Sequence, residues 1–182
     1  MDLSQLVASL EQHRHAPTEQ WNPPFCGDIP MRIDANGDWY YQDSPLRRAE
    51  LVKLFASVLV TEADDYFLVT PAEKVRIQVA DAPFVVTSWQ IVAPEQADQP
   101  PIVQVTTNVG DTAAISADHA LFIREHMPYI QLWRGLTAKL HRNVYYQWAY
   151  AALEQNSPCF AEINDELYVL SHDARYCFAA RD

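Results

Sequence analysis

The sequence predicts an α+β fold in which a helix, a short link and a β-hairpin occur twice. Apolar residues recur at helical spacing in some stretches and alternate, as strands require, in others. Turn residues punctuate the strands at short intervals. The segment "FLVTPAEKVRI" from Phe67 also aligns without gaps on "FAEINDELYVL" from Phe160, each following a helical stretch.

Asp2 and Gln5 form a capping-box pattern ahead of Leu3, Leu6, Val7 and Leu10, so residues 3–12 read as an amphipathic helix. Met31 to Ile33 and Trp39 to Tyr41 flank "DANGD", where Asn36-Gly37 signals a hairpin because both residue types accept positive φ. Ser44 followed by Pro45 reads as a helix start, with the helix running to about Leu59. Strands are expected at Tyr66 to Thr70 and Lys74 to Val79. Pro71, with no amide hydrogen and a fixed φ, makes the corner between them. Further strands are expected at Phe84 to Val92, Ile102 to Thr107, Thr112 to Ile115 and Leu121 to Arg124. Thr137 reads as the cap of a second helix reaching about Leu153. Phe160 to Ile163, Glu166 to Leu170 and Tyr176 to Ala179 close the chain.

At 182 residues with 49% hydrophobic content, the chain can bury one generous core or two small ones. No run near 18 consecutive apolar residues occurs, and the N-terminus lacks the basic-then-apolar order of an export signal, so the expected location is the cytoplasm and no membrane partner is expected. Cys26, Cys159 and Cys177 are too few and too widely spaced for a disulfide framework or a paired zinc motif. The formal charge of −11 repels a nucleic acid polymer over most of the surface. A small anionic ligand needs only a local positive site, which Arg47 with Arg48, or Lys139 with Arg142, can supply.

The repeat directs attention to particular residues. Arg48 and Arg142 each fall in the first turn of their expected helix, in line with apolar stripes at Val52, Phe55 and Leu59, and at Tyr146, Ala149 and Leu153. A guanidinium on a buried stripe needs a carboxylate, since leaving it unpaired costs on the order of 3–5 kcal/mol. Glu73 and Glu166 align with each other and can provide it. The pairs Arg48–Glu73 and Arg142–Glu166 are then structural, or the arginines also touch a ligand. Thr70 and Lys74 are polar where the second copy has Ile163 and Leu167, an asymmetry that folding of the unit does not require. Lys74 either faces a ligand groove at the joint of the two halves or stands in water.

Glycines occur only at 27, 37, 110 and 135, so neither a phosphate-binding G-x-x-x-x-G-K nor a dinucleotide G-x-G-x-x-G loop is present. A bound phosphate would have to use the helix starts at Ser44 and Thr137, which ordinary capping explains equally well. Ser116, Asp118 and His119 crowd one loop, whereas a catalytic triad draws on separated elements. His13 with His15, or His126 with His141 and His172, lack helical metal-ligand spacing, so no metal and no cofactor is expected. The aromatics of "RNVYYQWAYAAL" cannot all share one helix face; most read as core or interface contacts, and one could stack on a base.

"CGDIPMRIDANGDWYY", "SPLRRAELVKLFASVL", "LVTPAEKVRIQVADAPF" and "PYIQLWRGLTAKLHRNVYY" together resemble a bacterial family known as domain of unknown function 1285, over roughly residues 24–180. Thr70, Pro71, Glu73 and Lys74, followed by Asp81, Pro83 and Phe84, are its most recognisable piece. Asp118-His119-Ala120 departs from it where proline would follow the histidine. The resemblance implies two domains with a duplicated core and a C-terminal half similar to pleckstrin-homology domains. The division is then 1–20 as N-terminal helix and linker, 21–80 as an N-terminal α+β domain and 81–182 as a pleckstrin-homology-like α+β domain. It further implies a nucleotide-like ligand between the halves, serving signal transduction; Arg48, Thr70, Glu73, Lys74 and Arg142, singled out by the repeat and its asymmetry, are the ligand-binding candidates. No catalytic residue is assigned. A small-molecule hydrolase using Glu73 and a protein-interaction scaffold are the alternatives, and the oligomeric state stays open.

Overall fold

The structure is a computed structural model and describes residues 16–93, 100–154, 157–172 and 174–180. The expected helix at 3–12, His13, His15 and Asp173 lie outside the described residues. The chain divides into two compact units: the first holds the chain up to Pro83 together with Arg134–Leu136, the second Phe84–Trp133 and Thr137 onward. No helix among the described residues is long and apolar enough to cross a membrane.

In the first unit, β1 (Phe25–Ile33), β2 (Trp39–Tyr41) and β3 (Ser44–Pro45) form one antiparallel meander. Helix α1 (Ala49–Ser57) follows. A second meander then runs through β4 (Leu59–Glu62), β5 (Asp65–Val69) and β6 (Lys74–Val79). Parallel pairing of β1 with β6 joins the meanders into a six-stranded sheet of order β3-β2-β1-β6-β5-β4. The core sits where α1 meets the sheet: Phe55 is fully buried and stacks on Trp39 of β2, ring centroids 6.2 Å apart. Met31, Ile33, Leu59, Leu68 and Val75 complete it. Truncating Phe55 to alanine there would cost about 3–5 kcal/mol.

The second unit begins with β7 (Phe84–Val92), β8 (Ile102–Thr107) and β9 (Thr112–Ala114), continuing into β10 (Leu121–Arg124), β11 (Met127–Gln131) and β12 (Thr137–Leu140). Here too the first and last strands pair in parallel, giving the order β10-β11-β12-β7-β8-β9. Helix α2 (Arg142–Leu153) and a three-stranded sheet of β13 (Phe160–Ile163), β14 (Glu166–Ser171) and β15 (Ala174–Ala180) follow. Trp148 anchors α2 by packing against Trp89, Phe160 and Phe178 at centroid separations of 6.4, 5.6 and 5.7 Å. Ser171 bridges elements from its buried position, donating to the Ile115 carbonyl at 2.7 Å and accepting from the Val103 amide at 3.0 Å.

The two six-stranded sheets thus have the same strand order, and this sheet, rather than a helix-plus-hairpin, is the repeated element. In the first unit the helix lies between the third and fourth strands; in the second it follows the sixth. The gapless match of Phe67 on Phe160 therefore pairs β5 with β13, which belongs to the separate three-stranded sheet. By strand order, β5 and β6 answer instead to β11 and β12.

Both expected helix starts are corrected. Ser44-Pro45 is an edge strand, reached through a turn in which Gln42 and Asp43 have φ of 46° and 61°. An edge position suits proline, which cannot donate to a ladder. Thr137–Leu140 is strand β12, with Ala138 and Leu140 buried in alternation; α2 starts later, at Arg142, where the His141 ring accepts from the Asn143 amide at 3.1 Å. The buried stripe of α2 is Val144, Trp148 and Ala152 instead of Tyr146, Ala149 and Leu153.

Candidate functional site

The link between β5 and β6 is a turn closed by one side chain. The Thr70 hydroxyl accepts from the amides of Glu73 at 3.0 Å and Ala72 at 3.3 Å and donates to the Glu73 carbonyl at 3.2 Å. Thr70 is buried, so its hydroxyl is spent on turn geometry. Glu73 is half-buried, and no ion pair to its carboxylate forms among the described residues. Lys74 opens β6 with its amide donating to the Pro24 carbonyl at 3.1 Å. Its ammonium pairs with Glu62 of β4 and lies over the Phe67 ring, 4.4 Å from the centroid. Only 20% of the Lys74 side chain is exposed.

Arg76, two residues along β6, projects to the same side as Lys74. It donates to both carboxylate oxygens of Asp28, at 2.8 and 3.0 Å, and to Asp65 at 3.3 Å. The hydrogen bond from Arg76, assisted by its charge, holds the Asp28 carboxyl below the usual aspartate range. Beside it lies a cleft of about 270 Å³ that Asp28, Asp65, Tyr66, Arg76 and Ile77 help to line. The cleft opens where β1 slips register against β6, between Asp28 and Arg32. Arg32 stacks on Tyr40, 3.9 Å from its centroid, beside Asp43. Lys74, Arg76 and Arg32 are thus each neutralised by a carboxylate within the first unit.

The arginines placed by the sequence stand differently from expectation. Arg48 is the N-cap of α1, outside the helix proper, with an extended backbone and no side-chain capping bond. It is exposed, as is Arg47, and neither forms an ion pair among the described residues. The Arg48–Glu73 pair does not form: an exposed arginine ahead of the helix continues no buried stripe and requires no carboxylate. Arg142 is the exposed first residue of α2, where its Nε and Nη2 donate to the Tyr146 hydroxyl at 3.3 and 3.1 Å. Glu166 accepts from the Tyr168 hydroxyl instead of meeting Arg142, and that bond raises the phenol above its ordinary range. Of the five candidates, Thr70, Glu73 and Lys74 share one turn.

Ser116 and His119 close a backbone turn, and the His119 Nδ1 lies 3.2 Å from the Gln131 carbonyl, an arrangement that holds the loop. Arg134 is the residue sequence reasoning missed. Its Nη1 donates to the Ser57 carbonyl at 2.7 Å and its Nη2 to the Ala16 carbonyl at 2.6 Å. Burial pulls the guanidinium below the usual arginine range, with the Glu19 charge opposing. Its backbone is left-handed at φ 56°, for which an arginine gives no sequence signal.

Strand order, two helices and the division into two units define a two-domain α+β protein built on mixed sheets. Matches to known families divide the chain near the same point: "Domain of unknown function (DUF1285), N-terminal domain" over residues 16–82 and "Protein of unknown function (DUF1285), C-terminal domain" over residues 83–177. The chain belongs to the DUF1285 family. A DUF1285 family protein from Silicibacter pomeroyi DSS-3 is 30% identical, with a TM-score of 0.82 and coverage of 98% of this chain and 95% of that one. Another, from Shewanella baltica OS155, is 35% identical over 67% of this chain and 91% of its own, with a TM-score of 0.56. No curated protein matches.

Proposed function

We propose that this protein is a binding module for a small anionic, nucleotide-like ligand, acting in signal transduction in the cytoplasm, with the anion met at the start of α1. The observation that carries this reading is the contrast in pairing within the first unit. Lys74, Arg76 and Arg32 are held by carboxylates, whereas Arg47 and Arg48 are exposed without an ion pair among the described residues. They stand at a helix start that no side chain caps among the described residues. The first amides of a helix lack intrahelical acceptors, and arginine forks match phosphate oxygens. Arg48 is the residue this reading assigns to the ligand, while Thr70 and Lys74 support the β5–β6 hairpin.

Thermal unfolding with inorganic phosphate and a panel of nucleotides tests it, using wild type and Arg47→Ala/Arg48→Ala. Saturable stabilisation that disappears in the double variant supports the reading; no stabilisation by any of them overturns it. A protein-interaction role is the second reading. It is favoured by Tyr146, Tyr150 and Leu153 on the outer face of α2, which are 54, 66 and 44% exposed. Catalysis by Glu73 has no comparable support, since no side chain hydrogen-bonds its carboxylate among the described residues.

A further inference from the structure

We propose that Arg134-Gly135-Leu136 is a plug that completes the first unit, so that the family's N-terminal segment is finished only when this later stretch of chain is in place. The three residues group with the first unit although they lie between β11 and β12 in sequence. The N-terminal family match ends at residue 82 and does not include them.

Three local features converge on the plug. Ser57 is the last residue of α1, where carbonyls lack intrahelical partners and the helix dipole is negative. The Arg134 guanidinium supplies a donor and a positive charge at that point, and its second nitrogen reaches the carbonyl of Ala16, which is buried. Arg134 and Gly135 both adopt left-handed backbones, at φ 56° and 73°, which aims the arginine inward. A Cβ on Gly135 would come within 2.8 Å of the Thr61 Cγ2 on β4, so the chain approaches that strand as closely as only glycine permits. Arginine meets this geometry and lysine does not, because one ammonium on a flexible stem lacks the rigid fork that spans two carbonyls.

By strand order, the β11–β12 link is the counterpart of the β5–β6 turn that Thr70 closes. One link is satisfied by its own threonine. The other spends its side chain on Ser57 and Ala16.

Amide hydrogen exchange on the full-length chain decides the matter. In Arg134→Ala, exchange at Thr18 to Trp21 and at Val58 to Val60 should accelerate by about ten- to a hundred-fold, the factor carried by a hydrogen bond to a charged group, while Val103 to Val105 of β8 stay as in wild type. Arg134→Lys should fall between the two. Unchanged exchange at both segments, or equal acceleration throughout the chain, overturns the proposal. If Arg134→Ala does not fold, Gly135→Ala decides: it keeps the guanidinium but crowds Thr61, and must raise exchange at the same segments and not at β8.

Discussion

The Lys74 ammonium rests on the Glu62 carboxylate and over the face of Phe67, which in turn meets Phe25 edge-on at 6.1 Å. A lysine so engaged is a cross-strand staple between β4 and β6. Because Glu62 is 57% exposed, solvent screens the pair, and a double-mutant cycle of Lys74→Ala with Glu62→Ala should give a coupling of no more than about 1 kcal/mol in urea unfolding. Lys74→Ala should leave anion binding intact. A coupling several times larger, or loss of binding, would contradict this assignment.

Thr70 should matter more to stability than Lys74. Replacing it with valine keeps the shape but leaves the Ala72 and Glu73 amides without their acceptor, costing about 1–3 kcal/mol, whereas Thr70→Ser keeps the hydroxyl and most of the stability. Denaturation midpoints of the two variants settle the comparison. Equal midpoints would show that the turn does not depend on the hydroxyl.

Two glycines make a matched pair. Gly27 and Gly135 both hold positive φ, at 94° and 73°, but among the described residues a Cβ on Gly27 meets nothing within 4 Å while one on Gly135 meets Thr61. Gly27→Ala should cost the backbone term alone, about 1–2 kcal/mol, and Gly135→Ala that much plus the displacement of Thr61. The melting temperature of Gly135→Ala should therefore be the lower of the two.

Asp28 gives the pH dependence a definite sign. Its folded pKa is depressed below the ordinary 3.8, chiefly by the Arg76 hydrogen bond, so its contribution to stability is present above that value and is lost as pH falls through the folded pKa. A carboxyl-carbon NMR titration should place the Asp28 midpoint below 3.8, and Arg76→Ala should move it up towards that value. High salt should narrow the difference, because both groups face solvent. An unchanged midpoint in Arg76→Ala would remove the guanidinium as its cause.

Strands whose signal is local were legible in the sequence. Phe84–Val92, Ile102–Thr107 and Leu121–Arg124 announce themselves through β-branched and aromatic residues. The helix starts are not legible locally, because serine, threonine and proline serve a cap and an edge strand equally well, and what puts Thr137 in β12 is its pairing with Gln131 of β11. The repeat was visible but misaligned. Its defining contacts, β1 with β6 and β7 with β12, are parallel pairings between residues far apart in sequence, which no local pattern encodes. In the candidate site, the polar turn at Thr70–Lys74 was legible, but the partner that neutralises Lys74 lies on another strand. The role of Arg134 was not legible, because arginine gives no sequence signal for a left-handed backbone and its acceptors, the Ser57 and Ala16 carbonyls, lie far away in sequence.

The most direct test of the ligand reading is thermal unfolding of wild type and Arg47→Ala/Arg48→Ala across a nucleotide series with inorganic phosphate. At a hundred times its dissociation constant a ligand adds about 2.7 kcal/mol, which should raise the wild-type melting temperature by roughly 5–11 °C. The double variant should melt like unliganded wild type and gain nothing. Absence of any shift in wild type, or an equal shift in the double variant, would contradict an anion site at the start of α1.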